Sequence, residues 1–99
     1  MTKSELARRV AEQVPYLAKE DVTMVVDVIF HRMTQSLVRG ERIEIRGLGS
    51  FEVVHRKARE GMNPKTGERV SIPARRAILF RAGKALRERI NPSSEEGED

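Results

Sequence analysis

Seven Lys and Arg side chains fall between residues 55 and 76 against two acids, Glu60 and Glu68, a formal +5 on one short stretch. Arg56, Lys57 and Arg59 lead out to Gly61-Met62-Asn63-Pro64-Lys65-Thr66-Gly67, and Arg69, Arg75 and Arg76 lead back. Cations at this density suit a polyanion, whose phosphates accept from guanidinium and ammonium donors. A solvated surface on a basic protein would carry the same charges, so composition alone leaves both readings open. Gly, Asn and Pro together demand a turn, because Gly permits positive φ and Pro fixes φ and removes a donor. Around that turn the stretch reads as a hairpin of about eight residues per limb, reaching roughly 26 Å. Its limbs hold too few apolar side chains to bury a core, so it is expected to project as an arm and close around something negatively charged. Basic strands can enter a nucleic-acid groove. Pro64, with Met62 close by, adds an apolar point able to wedge between base pairs. A proline in a turn is ordinarily a turn former, and the tip alone leaves wedge and turn former both open.

No other chemistry is legible. His31 sits within a helical stretch and His55 at the arm base, with no paired carboxylates in pattern around either, so both read as structural or solvated. Two histidines and no Cys fall short of a metal spacing and exclude a Cys nucleophile and disulfides. Gly47-Leu48-Gly49 lacks the rest of a dinucleotide fingerprint, and Gly67 is not followed by Lys-Ser/Thr. Neither a catalytic set, a metal, a cofactor nor a small-molecule substrate is expected.

The elements that must position the arm follow from pattern. Thr2-Lys3-Ser4-Glu5 matches a capping box, and Leu6, Val10 and Val14 recur every four residues until Pro15 ends the helix. A second helix follows Leu17-Ala18, with Glu20 and Asp21 at its positive end and Gly40 as its stop. Its apolar positions, Val22, Val25, Val26, Ile29, Phe30, Met33 and Leu37, with Met24 and Val28 beside them, form a stripe wide enough to face two neighbours. One small sheet cannot cover that surface, which favours an intertwined dimer over a monomeric helix on a sheet. Glu41 to Arg46 alternates, with Ile43 and Ile45 inward. After the Gly47-Leu48-Gly49 turn, Phe51 and Val53 share the core face of a strand that runs on into the arm. Ala77 to Phe80 returns as a third strand, and Lys84 to Ile90 forms a short helix stopped by Asn91-Pro92. The expected class is therefore α+β: two N-terminal helices, a three-stranded antiparallel sheet with an extended β-hairpin arm over about 56–75, and a short C-terminal helix. One domain spans 1–91, and residues 92–99 read as a disordered acidic tail. All 19 Lys and Arg precede residue 91 against 11 acids, so the first ninety residues carry a formal +8. No membrane-length apolar run or signal-peptide core is visible, which makes the cytoplasm the expected compartment.

Gly47-Leu48-Gly49-Ser50-Phe51, Asn63-Pro64-Lys65-Thr66-Gly67 and Phe80-Arg81-Ala82-Gly83-Lys84-Ala85-Leu86 closely resemble the bacterial HU/integration host factor family of histone-like DNA-bending proteins. The resemblance covers residues 1 to about 91 in order. Met1 to Leu6 and Gly40 to Gly47 look most like its beta-type integration host factor chains. It implies a dimer whose helices form a base and whose strands form a saddle with two arms, a standard minor-groove bender. Pro64 would intercalate, with Met62, Asn63, Lys65 and Thr66 around it. Arg56, Lys57, Arg59, Arg69, Arg75 and Arg76 would line the minor groove or its phosphates. Lys3, Arg46, Ser50, Lys84 and Arg87 match places where the family clamps DNA backbone, as do the free amides at the start of the third helix. The implied partners are double-stranded DNA and a second chain, either another copy or an alpha-type subunit. The implied setting is the bacterial nucleoid, in recombination and transcription control.

The chain departs from the family pattern in three respects. Met62 replaces the Arg usual before Asn-Pro. Ala18 stands where a Ser or Thr cap is common, a loss of about 1 kcal/mol of helix stability. Residues 74–81 and the acidic tail look less beta-like. A less selective HU-type binder, an RNA-binding basic protein and an enzyme are the rival readings. The scarcity of stacking aromatics, Tyr16 and three Phe, weighs against RNA, and the missing nucleophile–base set weighs against an enzyme.

Overall fold

A computed structural model describes residues 1–92; the expected acidic tail lies outside the described residues apart from Pro92. The chain runs α1 (Lys3–Gln13), α2 (Lys19–Val38), β1 (Ile43–Ile45), β2 (Gly49–Arg56), β3 (Arg59–Met62), β4 (Arg69–Ile72), β5 (Arg75–Ala82) and α3 (Lys84–Ile90). Helix ends follow their local chemistry. Thr2 Oγ1 accepts from the Glu5 amide at 3.1 Å, which is half of the expected capping box. The Glu5 carboxylate turns instead to Arg9, at 2.6 Å. Val14 leaves the helical region before Pro15, at φ −130° and ψ 62°, and the Leu17 amide closes a turn onto its carbonyl. Ala18 caps α2 with no side-chain hydrogen bond. At the other end Gly40 takes φ +84°, with Glu41 N–H donating to Ser36 and Gly40 N–H to Leu37, the two bonds of a Schellman stop.

The sheet order is β1-β2-β5, all antiparallel. Register puts Ile43 opposite Phe51, Phe51 opposite Phe80, and Val53 opposite Ile78, so one face is apolar as the alternation requires. Phe51 and Phe80 meet as tilted rings 4.8 Å apart. Glu44, Ser50, Glu52, Arg81 and Leu79 share the opposite face.

One expectation needs correcting. β2 does not run on into the arm; the body ladder ends at Arg56–Arg75, and β3–β4 form a separate two-stranded sheet with four residue pairs, Arg59–Ile72 to Met62–Arg69. Pro73 explains the break, because it offers no N–H to a ladder and biases its neighbour away from regular pairing. The return strand accordingly starts at Arg75 rather than Ala77, which moves Arg75 and Arg76 from the arm into the body sheet.

Within one chain almost nothing is buried. Ala7, Ala11, Val22 and Val26 form the core between α1 and α2, with half-buried Val14 against it. Val25, Val28 and Ile29 on α2 each stay more than half exposed, as does Ile78 on the sheet. The radius of gyration is 19.5 Å, against about 13 Å for a compact chain of this length. An extended body with an open apolar helix face is half of an interface, and a partner chain must supply the rest of the core.

Candidate nucleic-acid interface

The tip is built from short-range hydrogen bonds that its side-chain types make available. Asn63 N–H donates to the Glu68 carbonyl at 2.8 Å, and Gly67 N–H to the Asn63 carbonyl at 2.7 Å, with Gly67 at φ +75°. The Asn63 side-chain oxygen accepts from Lys65 N–H at 2.9 Å, and Thr66 Oγ1 from Glu68 N–H at 3.2 Å. An Asx turn and an ST turn thus lock the apex, and Pro64 has no N–H to satisfy. Pro64 and Lys65 stand out there, exposed. Met62, opposite Arg69 at the end of β3, is 67% exposed, too open for a core residue.

At the arm root Arg56, Lys57, Arg59 and Arg75 gather around one concavity of about 610 Å3 with His55, Ile72 and Pro73. Arg56 lies directly across the ladder from Arg75, a like-charge pair that destabilises an empty sheet. No acid answers Arg56, Lys57, Arg59, Lys65 or Arg75 among the described residues, whereas in α1 Arg8 pairs with Glu12 at 2.9 Å and Arg9 with Glu5 at 2.6 Å. Arg69 alone in the arm is offset, by Glu60 at 3.6 Å. Four unpaired cations crowded around one concavity, two of them directly opposite in the ladder, favour an external polyanion over a merely solvated surface. Arg76 differs from its neighbours: its guanidinium donates to the Leu37 and Val38 carbonyls at 3.3 and 2.9 Å.

The body residues divide. Arg46 and Ser50 line a second concavity with Glu44, Gly83 and Arg81. Ser50 is itself buried, at 8% exposure. Arg81, opposite Ser50 in the register and 3.8 Å from Glu52, belongs to this groove and was missed from sequence, where it falls just past the expected third strand. Strand alternation, which puts it on the face of Ser50 rather than that of Phe80, was the signal that could have found it. Lys3 is held by Asp27 at 2.8 Å, and Lys84 lies 3.9 Å from Glu88. Arg87 donates to the Ala82 carbonyl at 2.9 Å beside the N-terminus of α3, whose cap Gly83 makes no side-chain bond. Gly83 N–H donates to the Leu48 carbonyl at 2.9 Å, fastening α3 to the β1–β2 turn. Among the described residues no group of three or more His, Cys, Asp or Glu could hold a metal ion, and no helix is long and apolar enough to cross a membrane.

Comparison with known proteins matches this geometry. The sequence model of the family described as bacterial DNA-binding protein covers residues 1–91. The integration host factor subunit beta of Halorhodospira halophila is 52% identical over 93 residues, covering 94% of this chain and 91% of that one. That of Dechloromonas aromatica is 52% identical over 91 residues, covering 92% and 97%. Among solved structures, HU of Anabaena in a cocrystal with DNA superposes with a TM-score of 0.82 at 40% identity, covering 93% of this chain and 99% of that one. HU from Thermotoga maritima gives 0.63 at 33% identity, covering 92% and 100%.

Proposed function

This chain belongs to the bacterial DNA-binding protein family, and from that premise we propose that it is an architectural protein that bends duplex DNA as an integration host factor beta-type subunit. It works as a dimer, with a second copy or an alpha-type chain, in the nucleoid of the bacterial cytoplasm, serving recombination and transcription control. It holds DNA rather than transforming it, and no enzymatic step is assigned to it. The carrying observation is the arm: unmatched cations at its root and an exposed Pro64 on a hydrogen-bonded apex.

Arg56, Lys57, Arg59 and Arg75 meet phosphates around the minor groove, with Lys65 and Arg69 further out. The apex enters the groove, where Pro64 wedges between base pairs and Asn63 and Thr66 hold its turn. Unstacking a step costs a few kcal/mol, and the bent duplex meets more of the basic body in return. Met62 extends the apolar front of the wedge in place of a charge. Lys3, Arg46, Ser50, Arg81, Lys84 and Arg87 border the path of the flanks. Sequence preference then comes from which DNA deforms cheaply, because no helix is placed to read the major groove.

Pro64→Ala separates wedge from turn former. With end-labelled duplexes in a bending assay, the variant is expected to lose most of the bend yet still bind through its arm cations, with a shallower slope of log affinity against log salt because the straightened flanks no longer meet the basic body. A Pro64→Ala protein that bends DNA fully would sink the wedge. Competition between a defined bending site and random duplex separates the integration host factor type from the HU type, which would show little preference.

A further inference from the structure

The sequence places Arg76 among the arm cations that meet DNA. We infer instead that it is a positioning residue: it ties the root of the arm to the C-terminal end of α2 and so sets the direction in which the arm leaves the body. The inference rests on the DNA-bending reading above.

Three observations carry it. First, the last turn of α2 contains no basic side chain of its own. Its terminal carbonyls are negatively polarised and short of donors, and a cation there is stabilising. The backbone stop satisfies Ser36 and Leu37 through Glu41 and Gly40. Arg76 reaches the Val38 carbonyl at 2.9 Å and shares that of Leu37 at 3.3 Å, across 38 residues of sequence.

Second, these are the only side-chain hydrogen bonds between the helix pair and the sheet among the described residues, where no ion pair joins the two layers either. Third, the location is mechanical. Arg76 faces His55 in the ladder, one residue from the final Arg56–Arg75 pair, after which regular pairing stops at Pro73 and Ala74. A tether at that point fixes the last rigid residues before the break. The arm beyond pivots from wherever they are held. Arg75, next in the chain, points to the other face of the strand and into the basic concavity. The two adjacent arginines therefore divide the work, one for phosphate and one for helix.

Arg76→Ala and Arg76→Gln, with Pro64→Ala as reference, test this on the purified full-length protein by the same bending and salt-titration measurements. Gln is two bonds shorter than Arg and uncharged, so it loses the α2 carbonyls as Ala does while keeping a polar side chain. If Arg76 positions the arm, both variants keep the wild-type salt slope, broaden the distribution of end-to-end distances in the complex and weaken affinity by about three- to tenfold. If Arg76 meets phosphate, both variants flatten the slope by about one unit, and the inference is overturned. An Arg76→Ala protein indistinguishable from wild type overturns it as well. Should Arg76→Ala fail to fold, the Gln variant alone still decides between the two slopes. A wild-type protein that does not bend duplex DNA refutes the functional reading itself, a result distinct from any of these.

Discussion

Gly49 is where a single missing carbon matters most in this chain. It opens β2 at φ +152°, and a Cβ there would collide with the Arg81 carbonyl oxygen and come within 3.0 Å of the Phe80 ring. Neither neighbour is a flexible side-chain end, so the strain has no cheap release. Gly49→Ala is expected to lose about 3 kcal/mol in chemical denaturation, while Gly47→Ala, with open space around it at φ +88°, loses only the strain of its backbone. Equal losses at the two sites would show that close approach to β5 is not what demands glycine. The sequence shows Gly47-Leu48-Gly49 as a turn but not which glycine is sterically required, because the obstructing carbonyl lies on another strand. The same limit hid Arg76: nothing near it in sequence marks a helix end 38 residues earlier as its partner. Asn63 was readable as a turn residue because its hydrogen bonds are local, and Thr66, placed beside it by the family resemblance, also closes on a residue in the same turn. Side chains that act on their own backbone declare themselves in sequence, and those that act across elements do not.

Among elements, α2 is the one whose ends are unequally made. Its C-terminus has the Gly40 stop and the Arg76 guanidinium, whereas its N-terminus begins at Ala18 with no side chain to accept an orphan amide. Glu20 and Asp21 answer the dipole there without capping it. Ala18 is already extended at φ −65°, ψ 141°, so a hydroxyl can be introduced without moving the backbone. Ala18→Ser is expected to stabilise the protein by about 1 kcal/mol at fixed protein concentration, read from denaturant midpoints, with DNA bending unchanged. A variant no more stable than wild type would mean that the α1–α2 turn already satisfies those amides. Helices and strands were legible from periodicity because each has one apolar face. The division of the hairpin at Lys57-Ala58 and Pro73-Ala74 was not foreseen, although Pro73 was in plain view. Alternation continues across the break, and alternation says nothing about whether neighbouring amides are paired. The break separates the charged arm from a body sheet held in register over eight residue pairs.

For the molecule as a whole, the decisive fact is how little one chain closes. Four small side chains make its core. Leu6, Val10, Val14, Leu17, Val25, Ile29 and Phe30 line an apolar groove of about 460 Å3 between the helices, and a patch of that kind exposed to water marks a contact surface. With so few residues buried, the hydrophobic term of an isolated chain falls far below its conformational entropy cost. Folding and association are therefore one transition, and every tenfold rise in chain concentration should add about 1.4 kcal/mol to the apparent stability. Ile29→Glu places a charge in the face that must be covered, whose lining carries no cation. The variant is expected to run as a monomer on size-exclusion, to lose most of its helical circular dichroism, and to lose DNA bending with it. Arm geometry explains the joint loss: a single arm grips one side of a duplex, and only two arms held by a common base can pull both flanks toward the same body. A melting midpoint independent of concentration, or an Ile29→Glu monomer that keeps its helices and still bends DNA, would show that the base closes within one chain and that the second arm is dispensable.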